Sequence, residues 1–299
     1  MTRLRTLLAL LILLPAGGAS APPPPITPAA SSAPRSGIPT ALSAPAAPEV
    51  EPPIQPAPPE PWAVELGTRE TRFRHGGGRL NRGRSHNLRR AMSELDGTVI
   101  PAGGELSYNR LLGPRTIQRG WRTAKAFLYG EVVEQPGGGI CQVSSTLHAA
   151  ALEAGLVALS SRPHSRVVPY IAPGLDATVS WERPDLVLHN PHPFPVRILA
   201  EEPAPGRLRV TVLGKERLWE VRIRLRTVEG EAPDVLFRKR ADRPRGWERV
   251  AGEGGPELTV QRSISRRALG TGETLTEEAE LRYDPTDRVV EIGTADPDE

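Results

Sequence analysis

The chain has 299 residues, of which 33 are proline and 29 glycine, with 38% hydrophobic and only 4% aromatic residues, so part of it lacks the apolar content for a packed core. Its net charge of +3 is mild, and 35 of the 38 basic residues are arginine, a side chain that grips carboxylate and phosphate in a bidentate fork. One cysteine, Cys141, excludes an intramolecular disulfide and any cysteine-rich zinc site.

Arg3 and Arg5 precede an apolar run from Leu7 to Leu14, which Pro15 ends ahead of the small residues Ala16 to Ala21. This is the layout of a signal peptide, too short for an ordinary membrane span. Residues 1–21 therefore read as a signal peptide or N-terminal anchor, and the rest is expected outside the cytoplasm: secreted, periplasmic or in the cell envelope. Residues 22–61 hold fifteen prolines and almost no large apolar side chain. Such a tract cannot offset the entropy of ordering and is predicted to be a disordered linker, reaching on the order of 100 Å if extended as polyproline II.

Order is predicted to begin at Trp62, with a strand over 62–73 broken by Gly76 to Gly78. Ser85 is predicted to cap a helix from His86 to Leu95, with Leu88, Met92 and Leu95 on one face and Asp96-Gly97 ending it. Between Arg69 and Arg90 stand eight arginines and one glutamate, Glu70. They read as a solvated basic face, with an anion-binding patch as the functional alternative. No nucleic-acid motif accompanies them, and His75 and His86 among them are expected to be solvated.

The most informative run is Pro136-Gly137-Gly138-Gly139-Ile140-Cys141-Gln142-Val143-Ser144-Ser145-Thr146-Leu147-His148. Val143, Leu147, Ala150 and Ala154 recur on one helical face and Gly155 is placed to end it, so Cys141 is predicted in the first turn of a helix entered through three glycines. Free N–H groups and the helix dipole favour a thiolate there, and the glycines let a substrate approach closely. A phosphate loop is the competing reading, but no Gly-Lys-Ser/Thr follows. A cysteine nucleophile needs a base. His148 stands two helical turns away, whereas His164, beyond a predicted strand over 156–161, can fold back beside the helix start and is the better candidate. His189 and His192 have a spacing that could bind metal but fall in a proline-rich turn, and neither a metal nor a cofactor is expected. From Pro205 onward, alternating segments at 208–213, 219–225 and 258–264 predict antiparallel strands without a helix. The carboxylates Glu277, Glu278 and Glu280 read as the polar face of a strand or turn.

The segments Tyr108-Asn109, Gly113-Pro114-Arg115-Thr116, Arg119-Gly120-Trp121, Gly137 to Leu147, Arg162-Pro163-His164-Ser165, Val168-Pro169-Tyr170 and Pro173 to Val179 resemble, in that order, the VanW-like family. The resemblance runs from Phe73 to Ile198. It departs from the family pattern at His148, where many relatives have Tyr, and at Arg166, where Leu is usual. The fold expected is α+β: a VanW-like domain over 62–203, with a cysteine-bearing helix packed on strands, followed by a smaller all-β region over 204–299.

The resemblance implies an extracytoplasmic cell-envelope protein acting on peptidoglycan stem peptides, with no nucleic-acid partner. Some VanW domains are understood to be L,D-transpeptidases that use the motif cysteine. That makes Cys141 the nucleophile and His164 the base, with Gly137, Gly138, Gly139, Gln142, Ser144, Arg115 and Asp176 in supporting or substrate-binding places. Backbone N–H groups from Gly139 to Gln142 would meet an oxyanion. The reading from a different class is a non-catalytic peptidoglycan-binding module, in which Cys141 is a buried helix-start residue.

Overall fold

In the computed structural model of the chain, residues 62–74, 77–128 and 131–296 are described. The expected signal peptide, the linker and His75 lie outside the described residues. The chain runs β1 (Val64–Arg72), α1 (Arg79–Leu95), β2 (Val99–Ile100), β3 (Glu105–Ser107), α2 (Tyr108–Leu112), β4 (Thr123–Leu128), β5 (Glu131–Pro136), α3 (Ile140–Glu153), β6 (Val157–Ser160), β7 (Val187–His189), β8 (Val196–Glu201) and β9 (Arg207–Gly214). It continues through β10 (Trp219–Glu229), β11 (Val235–Pro244), β12 (Glu248–Gly252), β13 (Leu258–Ala268), β14 (Thr274–Tyr283) and β15 (Arg288–Ala295). Helices and many strands are thus mixed, with a β-rich C-terminal part. No helix among the described residues is long and apolar enough to cross a membrane.

The order β1-β9-β8-β2 makes one antiparallel sheet, and α3 packs on its β1 and β9 strands. Every residue of α3 from Gln142 to Leu152 is buried, so its one-sided apolar periodicity belongs to a helix covered on nearly all sides. Small side chains bring helix and sheet together: a Cβ on Gly67 of β1 would stand 2.5 Å from the Ala150 carbonyl oxygen. Val143, Leu147 and Ala150 join Leu66, Ile198, Val210 and Val212 in the main core. The sheet β3-β7-β6 and the hairpin β4-β5 complete this half.

Two expectations change. Helix α1 begins at Arg79 behind Gly78, and Ser85 lies buried inside it, with its hydroxyl 3.4 Å from the Arg74 carbonyl oxygen instead of at a helix start. Gly77, with φ 93°, and Gly78 lead the chain into the helix ahead of the serine, so the serine-cap signal is not used. The segment 208–213, expected in the C-terminal β region, lies in β9 and pairs with β1 and β8. Its alternation describes a half-buried strand but not which sheet receives it.

The C-terminal strands form an antiparallel sheet β10-β13-β14 and a second sheet β11-β15-β12 in which β11 and β15 run parallel. Alternate residues Val260, Arg262, Ile264 and Arg266 turn one face of β13 inward. Ile264 meets Ala149 and Leu152 of α3 and Leu175 of the loop between β6 and β7, with Val221, Ile223 and Leu225 packed around them. Glu277 of β14 lies 3.4 Å from Arg266, which places the expected carboxylate run on a strand.

Candidate active site

Cys141 is the second residue of α3, and the turn before it is unusual for its two left-handed glycines. Gly137 has φ 81° and Gly139, the residue capping the helix, has φ 103°. A side chain there would also collide: a Cβ on Gly137 would lie 2.8 Å from Arg115 Cβ, and one on Gly139 2.9 Å from Arg84 Cγ. A Cβ on the third, Gly138, would lie 2.6 and 2.7 Å from the Ala124 and Lys125 carbonyl oxygens of β4. The glycines expected to admit a substrate thus give room to two arginines and a strand.

Cys141 is partly buried, with Sγ 3.4 Å from the Val179 carbonyl oxygen and 3.9 Å from Thr178 Oγ1. His164 and Asp176 arrive on the loop between β6 and β7, both buried. The His164 ring Nδ1 and its backbone N–H each lie 2.7 Å from Asp176 Oδ2. With Nδ1 donating to the carboxylate, Nε2 is left for Cys141, and the Tyr170 hydroxyl stands 3.5 Å from it. Burial would push the thiol pKa up, but the hydrogen bond and charge of His164 bring it below its ordinary 9. Burial would lower His164, yet Asp176 and Cys141 raise it to about 9. Asp176 is held below the ordinary carboxylate value, because bonds from His164 and Tyr283 outweigh its desolvation. The arrangement lines up a thiol, an imidazole and a carboxylate, with shifts that favour the thiolate–imidazolium form.

Two guanidinium groups surround it. Arg84 donates from Nη2 to Gln142 Oε1 at 2.8 Å, and Arg115 from Nη2 to Asn109 Oδ1 at 2.6 Å. Burial draws both pKa values down while the Cys141 charge opposes it. Arg115 Nε and Nη1 are buried without a hydrogen-bond partner among the described residues.

Other site expectations separate here. Gln142 is fully buried and donates to Thr71 Oγ1 and the Arg72 carbonyl, tying α3 to β1 instead of facing substrate. Ser144 donates to the Cys141 and Ala177 carbonyls and so anchors the loop after Asp176. The N–H groups of Ile140 and Gln142, two of those expected at an oxyanion, are bonded to Gly137 and Gly139 carbonyls at 3.3 and 2.9 Å. His148 does not reach the thiol: its Nδ1 lies 2.8 Å from the Leu175 carbonyl, and burial lowers its pKa to about 4. His192 packs on Phe194 with Nε2 2.9 Å from the Ala154 carbonyl at the end of α3. No group of three or more metal-binding side chains occurs among the described residues.

The basic run also divides. Arg69 pairs with Glu153, Arg79 with Glu134 and Arg89 with Glu202, while Arg90 lies 4.9 Å over the Trp121 ring. It is therefore not one solvated face, and Arg84 turns inward to the Gln142 side chain at the start of α3. Arg84 and Tyr283 were missed by sequence reasoning. Tyr170 and Thr178 had a signal, in Val168-Pro169-Tyr170 and in Pro173 to Val179, but no role was assigned to them.

Residues 83–213 match the family model described as VanW like protein, a stretch that takes in Arg84, Cys141, His164 and Asp176. The chain carries a VanW-like domain. Over 121 residues it is 42% identical to YoaR, an uncharacterized protein of Bacillus subtilis (strain 168). That match covers 40% of this chain and 40% of YoaR, so this VanW-domain chain spans less than half the length of the curated relative it matches. The solved structure of HP0197-G5 is 22% identical, covering 25% of this chain and 99% of that one, with a TM-score of 0.14. The IgA1 protease G5 domain structure is 24% identical, covering 27% and 99%, with a TM-score of 0.17.

Proposed function

We propose that the chain is an exported cell-wall enzyme, a cysteine-dependent peptidoglycan L,D-transpeptidase working through a Cys141 thioester. The observation that carries this reading is the run from Asp176 Oδ2 through His164 Nδ1, at 2.7 Å, to the thiol of partly buried Cys141 in the first turn of a helix. Its placement in the cell envelope rests on the signal-peptide pattern and on the family.

The Cys141 thiolate attacks the carbonyl carbon of the stem-peptide bond between the diamino acid and a terminal D-alanine. His164, as the imidazolium, gives its Nε2 proton to the departing D-alanine nitrogen as the C–N bond breaks, leaving a thioester. An amine of a second stem attacks that thioester, neutral His164 takes the amine proton, and the thiolate departs. Water in place of the amine makes the same site a carboxypeptidase. Since the Ile140 and Gln142 N–H groups serve the turn, the Gly139 and Cys141 N–H groups and the neighbouring guanidinium charge are left to meet an oxyanion. Arg115, with two unpartnered nitrogens, suits the free carboxylate of the D-alanine.

Mass analysis of muropeptides incubated with the protein should reveal cross-linked products lacking one D-alanine, and Cys141→Ala should yield none. Equal processing by Cys141→Ala would reject the enzyme and favour the non-catalytic peptidoglycan-binding module.

A further inference from the structure

The loop that carries His164 and Asp176 is gripped by strands lying beyond the stretch that matches the family. Tyr283, the last residue of β14, is fully buried. Its hydroxyl donates to Asp176 Oδ1 and accepts from the Gly174 N–H, both at 2.6 Å. One residue further, the Asp284 N–H donates to the Ser165 carbonyl at 2.6 Å, and Arg262 of β13 donates from Nη1 to the Gly174 carbonyl at 2.9 Å. Both ends of the loop are thus tied to the β10-β13-β14 sheet. With Oδ2 occupied by His164 and Oδ1 by Tyr283, the Asp176 carboxylate has one orientation, and that orientation aims the imidazole.

We propose that Tyr283 is a positioning residue for the Cys141–His164–Asp176 chain, and that the sheet bearing it holds the acid–base loop in its working geometry. The proposal rests on the reading in which Cys141 and His164 react together. A phenylalanine would fill the same space and lack both hydrogen bonds, so the hydroxyl alone ties the carboxylate and the Gly174 N–H to the sheet. A donor on Oδ1 stabilises ionised Asp176, which in turn supports the imidazolium and, through it, the thiolate. The charged and titratable groups around Asp176 are His164, Tyr283, Tyr170, His148 and Arg262. Among them, His164 and Tyr283 hydrogen-bond its carboxylate directly.

The test is Tyr283→Phe in the full chain, read by the pH midpoint of Cys141 alkylation with iodoacetamide, by muropeptide turnover, and by urea unfolding. The alkylation midpoint should rise by about one pH unit, and turnover at neutral pH should fall about tenfold in kcat with KM little changed. Leu275→Ala, at the opposite end of β14 from Tyr283, should leave the alkylation midpoint in place. Should Tyr283→Phe not fold, Arg262→Lys keeps the charge and loosens Gly174, and must shift the midpoint in the same direction. An unmoved midpoint in a folded Tyr283→Phe chain overturns the proposal. A moved midpoint in a chain whose parent processes no muropeptide upholds the positioning role and rejects the transpeptidase.

Discussion

Cys141 and His164 share one proton economy, and its sign can be worked out. Below the lowered pKa of Cys141 the thiol is protonated and inert; between that value and about 9 the pair stands as thiolate and imidazolium; above about 9 His164 loses the proton it must deliver. Alkylation of the native protein should therefore set in at a lower pH than for an ordinary thiol, and turnover should decline as pH rises through about 9. Asp176→Asn removes the charge that raises His164, so the alkylation midpoint should move up and kcat fall roughly 10²- to 10⁴-fold. His148 works in the opposite sense. Burial lowers it from 6.5 to about 4, so the unfolded chain takes up a proton first and stability is lost as pH falls between those values. At pH 5 this loss is about 2 kcal/mol. His148→Gln can still donate to the Leu175 carbonyl, and urea unfolding at pH 7 and pH 5 should reveal that much less acid sensitivity in it.

At the scale of elements, α3 was legible because its signals are local. Val143, Leu147 and Ala150 repeat on one face, and Gly155, with φ 82°, ends the helix by turning its N–H to the Leu152 carbonyl. What occupies the helix start was not legible, since Arg84 comes from α1 and Arg115 from the loop after α2. Gly139 joins the two levels. Gly139→Ala would force a side chain into a left-handed conformation against Arg84, and should cost about 1–3 kcal/mol of stability by urea unfolding. It should also slow Cys141 alkylation, because Arg84, whose charge acts on Cys141, must move.

At the scale of the molecule, the VanW-like part and the C-terminal strands share a second core that holds Ile264 with Leu152 of α3 and Leu175 of the acid–base loop. They should therefore unfold together. Ile264→Ala removes a fully buried side chain at this junction and should cost about 2–5 kcal/mol, lowering one common denaturation midpoint for α3 and the C-terminal sheets. Two separate transitions in calorimetry would show that the shared core does not couple them.

The sequence by itself determined which chemistry is available and where each helix or strand of strong periodicity lies. One cysteine at a glycine-entered helix, a histidine and an aspartate in a loop motif, and alternating strands afterward are all local patterns, written in residue types and spacing. The tertiary structure alone decided how they meet. It placed 208–213 with β1, drew Arg84 out of a basic run to Gln142 beside Cys141 in the chain, and brought Tyr283 across 107 residues to Asp176. Such contacts depend on strand order and side-chain direction. A lone tyrosine at the end of a strand has no periodicity that announces its partner, and only the burial of its hydroxyl against a carboxylate reveals one.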